Sequence, residues 1–233
     1  MEILAPVGGK EQLIAAVRSG ANAVYLGARD FNARRNAENF DAMDMAQTVK
    51  YCHSHGVRVH VTLNTLVTDD ELESLYRTAD EVAQAGVDAV IVQDMAVFEY
   101  LKGKYPDLPL HASTQSVVHN VQSARYIKDL GFSRVVLARE LSLEEIKKIH
   151  DSVDVEIETF IHGALCMCVS GACYLSSAIG GRSGNRGLCA QPCRLNFKSG
   201  SREYALSLKD MSHIKYIKDL EKAGVCSVKI EGR

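Results

Sequence analysis

One hydrophobic pattern recurs along the chain. An amphipathic segment ends at a glycine, and shortly afterwards a run of apolar, largely β-branched residues begins. The five glycines are Gly20, Gly56, Gly86, Gly131 and Gly224. Each suits the C-terminus of a helix, where the backbone needs a positive φ, and each following run suits a strand that is buried on both faces. The pattern therefore predicts helices that alternate with parallel strands.

The segments before these glycines have the spacing of amphipathic helices. Leu72, Leu75 and Ala79 fall on one helical face, and Ser142 stands three residues before Glu145, as in a capping box. Further strands are expected at four places and bring the total to about nine β segments: Ile3–Leu4, Leu110–Ala112, Val155–Ile161 and Tyr204–Leu208. This many alternating units favour a closed (β/α)8 barrel, a TIM-barrel-like α/β fold, over an open doubly wound sheet. The pattern leaves open which strand is surplus.

Residues 163–204 interrupt the alternation. They are rich in glycine and serine and lack helical spacing over much of their length, which predicts an elaborated loop after the seventh strand. Within and just beyond this loop, the segment from Arg194 to Leu206 has a turn at Gly200 and predicts a β-hairpin. We therefore expect one barrel domain over residues 1–233 with a single cysteine- and glycine-rich insertion.

Composition excludes little. With 46% hydrophobic and 24% charged residues the chain can bury a full core, and no apolar run has the length of a membrane span. The segment from Met1 to Pro6 lacks the basic and apolar regions of a secretory signal, so the cytoplasm is the expected location. A net charge of −2 gives no general indication of nucleic-acid binding.

The cysteines carry the strongest chemical signal. Five of the seven lie within 28 residues: Cys166, Cys168, Cys173, Cys189 and Cys193. Clustered thiols in a cytoplasmic protein indicate metal or redox chemistry rather than a disulfide framework. Zinc sites usually contain tight C-x2-C pairs, whereas the gaps here are wider, and an iron–sulfur cluster takes four thiolates from glycine-rich loops.

Our preferred hypothesis is a [4Fe–4S] cluster on Cys166, Cys173, Cys189 and Cys193, with Cys168 as a spare thiol. Cys226 begins a predicted strand and is the other cysteine that could reach this group. Zinc binding remains an alternative, and so does simple burial of the cysteines as small apolar side chains.

Polar residues follow several predicted strands, and in a barrel these strand ends converge on one mouth. Glu158 and His162 are the candidates for proton transfer there. The candidates for substrate binding at the mouth are His111, Ser113, Gln115, Arg139, Lys229, Glu231 and Arg233. Arg233 would suit a carboxylate group of the substrate.

The insertion is also basic. Between residues 182 and 202 there are five cationic side chains and no Asp or Glu: Arg182, Arg186, Arg194, Lys198 and Arg202. Such a segment suits RNA phosphates or a dicarboxylate, although a solvated cationic loop has the same composition.

One signature adds a family resemblance. The series Glu158-x-Phe160-x2-Gly163-Ala164-Leu165-Cys166-x4-Gly171-x-Cys173 resembles the signature of the U32 family, historically called collagenase-like peptidases. Four further blocks are similar to that family and extend the resemblance over the whole chain: Leu4–Gly8, His111–Gln115, Gly187–Arg194 and Lys229–Arg233. Family members continue past the last block, so the resemblance implies that a C-terminal domain is absent from this chain.

The resemblance implies more than one activity. The family name implies a peptidase, while other members are iron–sulfur proteins that hydroxylate nucleobases of tRNA or rRNA, with prephenate implicated as co-substrate. A third group serves oxygen-independent ubiquinone hydroxylation, which would make this chain an accessory subunit with a homologous partner.

The residues favour hydroxylation. Neither a His-Glu-x-x-His nor a Gly-x-Ser-x-Gly motif is present in the sequence. A peptidase that uses a divalent metal, or Cys166 as nucleophile with His162 as base, remains the alternative. We expect an RNA pyrimidine hydroxylase that acts with a prephenate-like donor, with tRNA uridine as the first candidate substrate.

Overall fold

The alternation predicted from the sequence is present in the computed structural model, which describes residues 1–33 and 39–232. The strands are β1 (Glu2–Pro6), β2 (Ala23–Gly27), β3 (Arg58–Leu63), β4 (Ala89–Val92), β5 (Leu110–Ala112), β6 (Arg134–Val136), β7 (Glu156–Gly163), β8 (Met211–Ser212) and β9 (Val225–Ile230). The helices are α1 (Lys10–Arg18), α2 (Ala42–Ser54), α3 (Leu72–Gln84), α4 (Met95–Lys104), α5 (Val121–Leu130), α6 (Leu143–Ser152), α7 (Leu175–Gly180) and α8 (Ile217–Lys222).

Eight parallel strands close into a barrel. Strands β1 to β7 pair in chain order, and β9 lies between β7 and β1. The expected (β/α)8 fold is therefore confirmed. The ninth strand, β8, pairs antiparallel with the end of β7 through His162 and Ser212 and lies outside the ring.

One of the predicted strands is absent. Residues 204–208 form turns and irregular backbone, so the prediction of a strand at Tyr204–Leu208 is wrong. Tyr204 has a φ of 50°, which ends any extended backbone at this point. The predicted hairpin is reduced to a tight turn with one bridge between Ser199 and Arg202, and the insertion itself follows β7 as expected.

Helix ends follow the sequence signals. All five of the glycines that ended the predicted helices have a positive φ, between 70° and 109°. At the start of α6, the backbone N–H of Ser142 donates to the carboxylate of Glu145 at 2.8 Å, which confirms the capping box. Within the ranges that the structure describes, no helix combines the length and apolar character needed to cross a membrane.

The main core lies between the barrel and its surrounding helices. In β3, Val59 and Val61 face outward and join this core, whereas His60 and Thr62 alternate with them and are buried on the other side of the sheet. A separate small apolar group, which includes Leu4 and Tyr25, fills part of the barrel interior. A third apolar group consists of Val136, Phe160 and Met211. Beside these groups, buried polar and charged residues such as His60, Arg134 and Glu158 form a polar interior.

Candidate functional site

A buried network of charges lies inside the barrel. Arg134 on β6 donates to Glu2 of β1 at 2.6 Å and to Glu158 of β7 at 3.0 Å. The hydroxyl of Ser227 on β9 donates to the same two carboxylates at 2.9 and 3.0 Å. Burial alone would raise the pKa of Glu158, but the charges of Lys229 and Arg134 outweigh it and lower that pKa. Glu158 is therefore a buried, ionised partner of the network.

This placement corrects one expectation from the sequence. Glu158 and His162 do not share a strand end, because β7 is eight residues long and Glu158 is its third residue. The Glu158 side chain is 0% exposed, whereas His162 is exposed near the end of the strand. The two residues are four positions apart along the strand, which separates them by roughly 13 Å. Glu158 thus belongs to the barrel interior, and His162 alone remains near the mouth as a candidate for proton transfer.

Two histidines extend the polar interior. His60 and His111 contact each other edge to face, with ring centroids 5.0 Å apart, and both are almost completely buried. The Nδ1 atom of each has no hydrogen-bond partner among the residues that the structure describes. Burial lowers the pKa of His60 to about 4, and burial together with His60 holds the pKa of His111 well below its usual value. The sequence predicted His111 at the mouth, but it lies within the barrel.

The low pKa of His60 predicts a pH dependence of stability. His60 takes up a proton near pH 6.5 in the unfolded chain but only near pH 4 in the folded chain. The unfolded state therefore binds more protons between these values, and the free energy of unfolding falls as the pH drops from 6.5 to 4. In urea titrations, His60→Gln should remove a slope of up to about 1.4 kcal/mol per pH unit relative to the unchanged protein. Parallel curves for the two proteins would contradict this assignment.

Cations and aromatic rings connect the network to the mouth. The Lys229 ammonium lies 3.4 Å from a carboxylate oxygen of Glu158 and 4.1 Å from the ring centroid of Tyr25. The Arg139 guanidinium lies 4.0 Å from the ring centroid of Phe160 and pairs with Glu231 at 3.2 Å. These contacts hold both cations in place beside aromatic faces.

The mouth also contains buried polar groups. Ser113 is 1% exposed, and its hydroxyl accepts hydrogen bonds from the side chain of Asn64 at 3.4 Å and the backbone of Gln115 at 3.3 Å. The side-chain oxygens of Gln93 and Gln115 are buried and have no hydrogen-bond partner within the described part of the chain. Arg233, predicted to bind substrate, lies outside the described residues.

The insertion brings the four preferred cysteines close together. Burial raises the pKa of the Cys166 thiol, and the nearby thiols of Cys193, Cys173 and Cys168 raise it further. Gly184 connects Cys189 to this group, because a Cβ at Gly184 would lie 3.6 Å from the carbonyl oxygen of Cys173 and 3.7 Å from the Cβ of Cys189. The two separated parts of the loop therefore meet.

Hydrogen bonds distinguish the cysteines from one another. The Cys173 sulfur accepts the backbone N–H of Leu175 and the Cys189 sulfur that of Gln191, both at 3.4 Å. The Cys166 sulfur likewise accepts the backbone N–H of Cys168. This bond lowers the pKa of Cys166 and so opposes the effect of burial. N–H donors favour the negative charge of a thiolate. Across residues 1–33 and 39–232, no three His, Cys, Asp or Glu side chains form a group that could hold a single metal ion.

Cys168 and Cys226 differ from Cys166, Cys173 and Cys189 in their hydrogen bonds. The thiol of Cys168 donates to the carbonyl of Ala172 at 3.2 Å, and that of Cys226 donates to the carbonyl of Ile157 at 3.2 Å. Both thiols therefore act as S–H donors to backbone carbonyl oxygens. Cys226 lies at the start of β9, at the opposite end of the barrel from the insertion, so the expectation that it could reach the cysteine group is wrong.

Several cations of the insertion are paired with carboxylates. Arg186 forms a two-contact ion pair with Glu71, which lowers the pKa of Glu71 to about 2. Arg194 donates to the carbonyl of Leu165 at 3.2 Å and lies 3.6 Å from Asp210. The expectation that Arg186 and Arg194 are available to substrate is therefore wrong, since carboxylates from outside residues 182–202 neutralise them. Lys198 likewise lies 3.0 Å from Glu203. Arg182 and Arg202 are exposed and pair with no carboxylate of the described residues.

Gly187 fixes the insertion against the loop after β2. Its φ is 75°, and a Cβ there would lie 2.9 Å from the backbone of Asn32 and Ala33. Gly181, with a φ of 65° and no atom within 4 Å of the position that a Cβ would take, is the matched control. Both alanine variants incur the left-handed penalty of roughly 1–2 kcal/mol. We expect Gly187→Ala to lower the free energy of unfolding by about 1 kcal/mol more than Gly181→Ala, measured in urea. Equal losses would show that this contact is not tight.

Comparison with known proteins identifies the family. The family model for peptidase family U32 matches residues 8–233. The chain belongs to peptidase family U32. The U32 resemblance inferred from the cysteine signature is thereby confirmed.

The U32 relatives have different names. A 23S rRNA 5-hydroxycytidine synthase of Escherichia coli (strain K12) is 44% identical over 100% of this chain and 36% of its own length. A tRNA hydroxylation protein of Bacillus subtilis (strain 168) is 35% identical over 100% of this chain and 58% of its own. A collagenase of Porphyromonas gingivalis is 37% identical over 100% and 61%. This U32 chain thus spans between 36% and 61% of the length of these relatives.

Solved structures agree with the barrel. A U32 peptidase superposes with a TM-score of 0.70 over 100% of this chain and 94% of its own, at 18% identity. Thiamine phosphate pyrophosphorylase from Pyrococcus furiosus superposes with a TM-score of 0.54 over 98% and 84%, at 13% identity. At these identities the likeness demonstrates a shared fold alone.

Proposed function

We propose that this chain is the iron–sulfur-binding part of an enzyme that hydroxylates a pyrimidine base in RNA. The observation that carries the proposal is the convergence of Cys166, Cys173, Cys189 and Cys193 in the loop that leaves β7 at the barrel mouth. The relatives named as an rRNA 5-hydroxycytidine synthase and as a tRNA hydroxylation protein support this class of reaction.

The donor set fits such a cluster. Four thiolates are the usual protein ligands of a [4Fe–4S] cluster, and backbone N–H groups are directed at the sulfurs of Cys166, Cys173 and Cys189. When bound, the cluster would supply electron transfer close to the base. Zinc, the alternative considered from the sequence, finds less support, because no three His, Cys, Asp or Glu side chains of the described residues form a group that could hold a single metal ion. Cys168 is left out because its thiol donates to a carbonyl.

Residues at the mouth would bind and orient the substrates. The unpartnered side-chain oxygens of Gln93 and Gln115 suit the N–H groups of a pyrimidine edge. Arg139 pairs with Glu231 and Lys229 with Glu158, and these two cations suit the carboxylates of a prephenate-like donor. His162, exposed near the end of β7, is the side chain that we assign to proton transfer.

The peptidase alternative finds less support in the thiols. A cysteine nucleophile needs a lowered pKa and a base within hydrogen-bond reach. Burial and neighbouring thiols raise the pKa of Cys166 instead. Within residues 1–33 and 39–232, the hydrogen bonds of the structure do not join Cys166 to His162. Because one relative is named a collagenase, the experiment also tests for peptidase activity.

Mass spectrometry of RNA nucleosides tests the function. Cells without the gene for this protein should lack one hydroxylated pyrimidine nucleoside, and the unchanged gene should restore it. Loss from a tRNA uridine would agree with the sequence-based expectation, whereas loss from an rRNA cytidine would match the 44% identical relative. Unchanged nucleosides in both fractions, together with hydrolysis of gelatin by the purified protein, would overturn the proposal.

A further inference from the structure

Two exposed aromatic rings lie on the tight turn of the insertion, which we call the aromatic turn (residues 195–205). Phe197 is 38% exposed and Tyr204 is 51% exposed. The backbone N–H of Ala205 donates to the carbonyl of Phe197 at 2.8 Å, and that of Tyr204 donates to the side chain of Asn196 at 3.2 Å. These bonds place the two aromatic residues on opposite arms of one short turn.

The backbone holds Tyr204 in a conformation that few residues of its size adopt. Its φ of 50° lies in the left-handed region, where a bulky side chain is uncommon. Folding gains little in return, because about half of the surface of Tyr204 is left in solvent. A strained, exposed ring is more consistent with contact to a ligand than with a role in the core.

The charges of this region favour an anionic ligand. Of the five cationic side chains between residues 163 and 208, three are paired with carboxylates: Arg186, Arg194 and Lys198. Arg182 and Arg202 are the two that an anionic ligand could meet. Arg202 lies on the aromatic turn itself, is exposed, and pairs with no carboxylate of the described ranges. Exposed aromatic rings next to an unpaired cation are recognition elements for single-stranded nucleic acid. An apolar protein partner would not explain the cations.

The aromatic turn is attached directly to the cysteine group. Phe197 follows Cys193 by four residues, which span at most about 14 Å. Arg194 fixes the base of the turn, because it bonds Leu165 at the start of the insertion and Ser207 near its end. A nucleotide that stacks on the turn would therefore lie close to the proposed cluster.

We propose that the aromatic turn is a stacking platform for single-stranded RNA, with Phe197 and Tyr204 against the bases and Arg202 beside the phosphates. The inference rests on the proposed function, since it assumes that RNA is the substrate. Residues outside the barrel mouth would then bind the nucleotides next to the target base.

Binding of a fluorescein-labelled oligouridine of about 12 nucleotides, followed by anisotropy on the 233-residue chain, tests the platform. The Phe197→Ala/Tyr204→Ala double variant should bind roughly 10-fold more weakly or worse. Tyr204→Phe should bind as the unchanged protein does, because the ring is kept. Tyr126→Ala removes a ring that is 65% exposed on α5 and is the matched control, with unchanged affinity expected. Far-ultraviolet circular dichroism checks that the variants are folded.

An affinity of the double variant within twofold of that of the unchanged protein would overturn the inference. Failure of the unchanged protein to bind the oligonucleotide would overturn it as well. Both results leave the proposed function standing if cells without the gene still lack a hydroxylated nucleoside. Conversely, a chain that binds RNA through the aromatic turn while nucleosides stay unchanged would overturn the proposed function and keep the platform.

Discussion

Replacing Cys193 with alanine should remove the iron–sulfur centre and abolish RNA hydroxylation. Three thiolates would remain, and a cubane that loses one of four ligands exposes an iron atom to solvent and oxidation. We expect the visible absorbance of the anaerobically purified protein to disappear and the product nucleoside to fall below about 1% of its level with the unchanged protein. The same result is expected for Cys166→Ala, Cys173→Ala and Cys189→Ala.

Cys168→Ala is the matched control for this series. Cys168 lies in the same loop and within electrostatic range of Cys166, but its thiol donates to the carbonyl of Ala172. The variant should keep its colour and its product. If Cys168→Ala lost the centre and Cys193→Ala kept it, Cys168 would be the fourth ligand in place of Cys193. That result would contradict the assignment.

Arg134→Met should produce the largest loss of stability among single substitutions in the barrel. Arg134 is 4% exposed and contacts the carboxylates of Glu2 and Glu158, which are themselves almost completely buried. Its removal leaves two buried negative charges near each other without the cation that they share, although Lys229 still pairs with Glu158 and Arg58 with Glu2. Removal of one partner from such a network costs about 3–5 kcal/mol, which urea titration at neutral pH would measure.

Arg77→Met is the control for that loss. Arg77 pairs with Glu73 at 3.3 Å on the surface of α3, and both side chains are exposed. Its removal should cost at most about 0.5 kcal/mol. If Arg134→Met does not fold, Glu158→Gln removes one charge and keeps the shape of the site, and it should lose less than Arg134→Met. A loss for the Arg134 variant no larger than that of the control would show that the network contributes nothing.

The barrel could be predicted because its signals are local. Each glycine that ended a helix needed a positive φ, and each apolar run of β-branched residues needed burial. The surplus strand could not be predicted, because β8 is only two residues long and forms by pairing with His162 and Gly163, which are distant in sequence. Tyr204, by contrast, has the β propensity of a strand residue but the backbone of a turn.

The polar interior of the barrel was missed, although the sequence contained its signal. In β3, Val59 and Val61 alternate with His60 and Thr62, which is the two-residue period of a strand with one polar face. Glu158 was instead expected at a strand end, because the length of β7 could not be read from its apolar residues. Glu2 and Arg134 are 132 residues apart, and only closure of the barrel brings them together.

The site in the insertion was predicted in part. Five thiols within one short loop are typical of a shared inorganic ligand, so the convergence of the cysteines could be expected from their spacing alone. The availability of the cations could not, because Glu71 and Asp210 lie outside the basic segment and neutralise Arg186 and Arg194 only in the folded chain. Counting charges in a sequence does not show which of them are paired.

Iron and acid-labile sulfide content, measured together with Mössbauer spectra on anaerobically purified protein, tests the central claim most directly. We expect roughly four iron and four sulfide per chain, with the spectrum of a [4Fe–4S] cluster, and loss of both in Cys193→Ala. One zinc per chain without sulfide, retained in the anaerobic preparation, would contradict it.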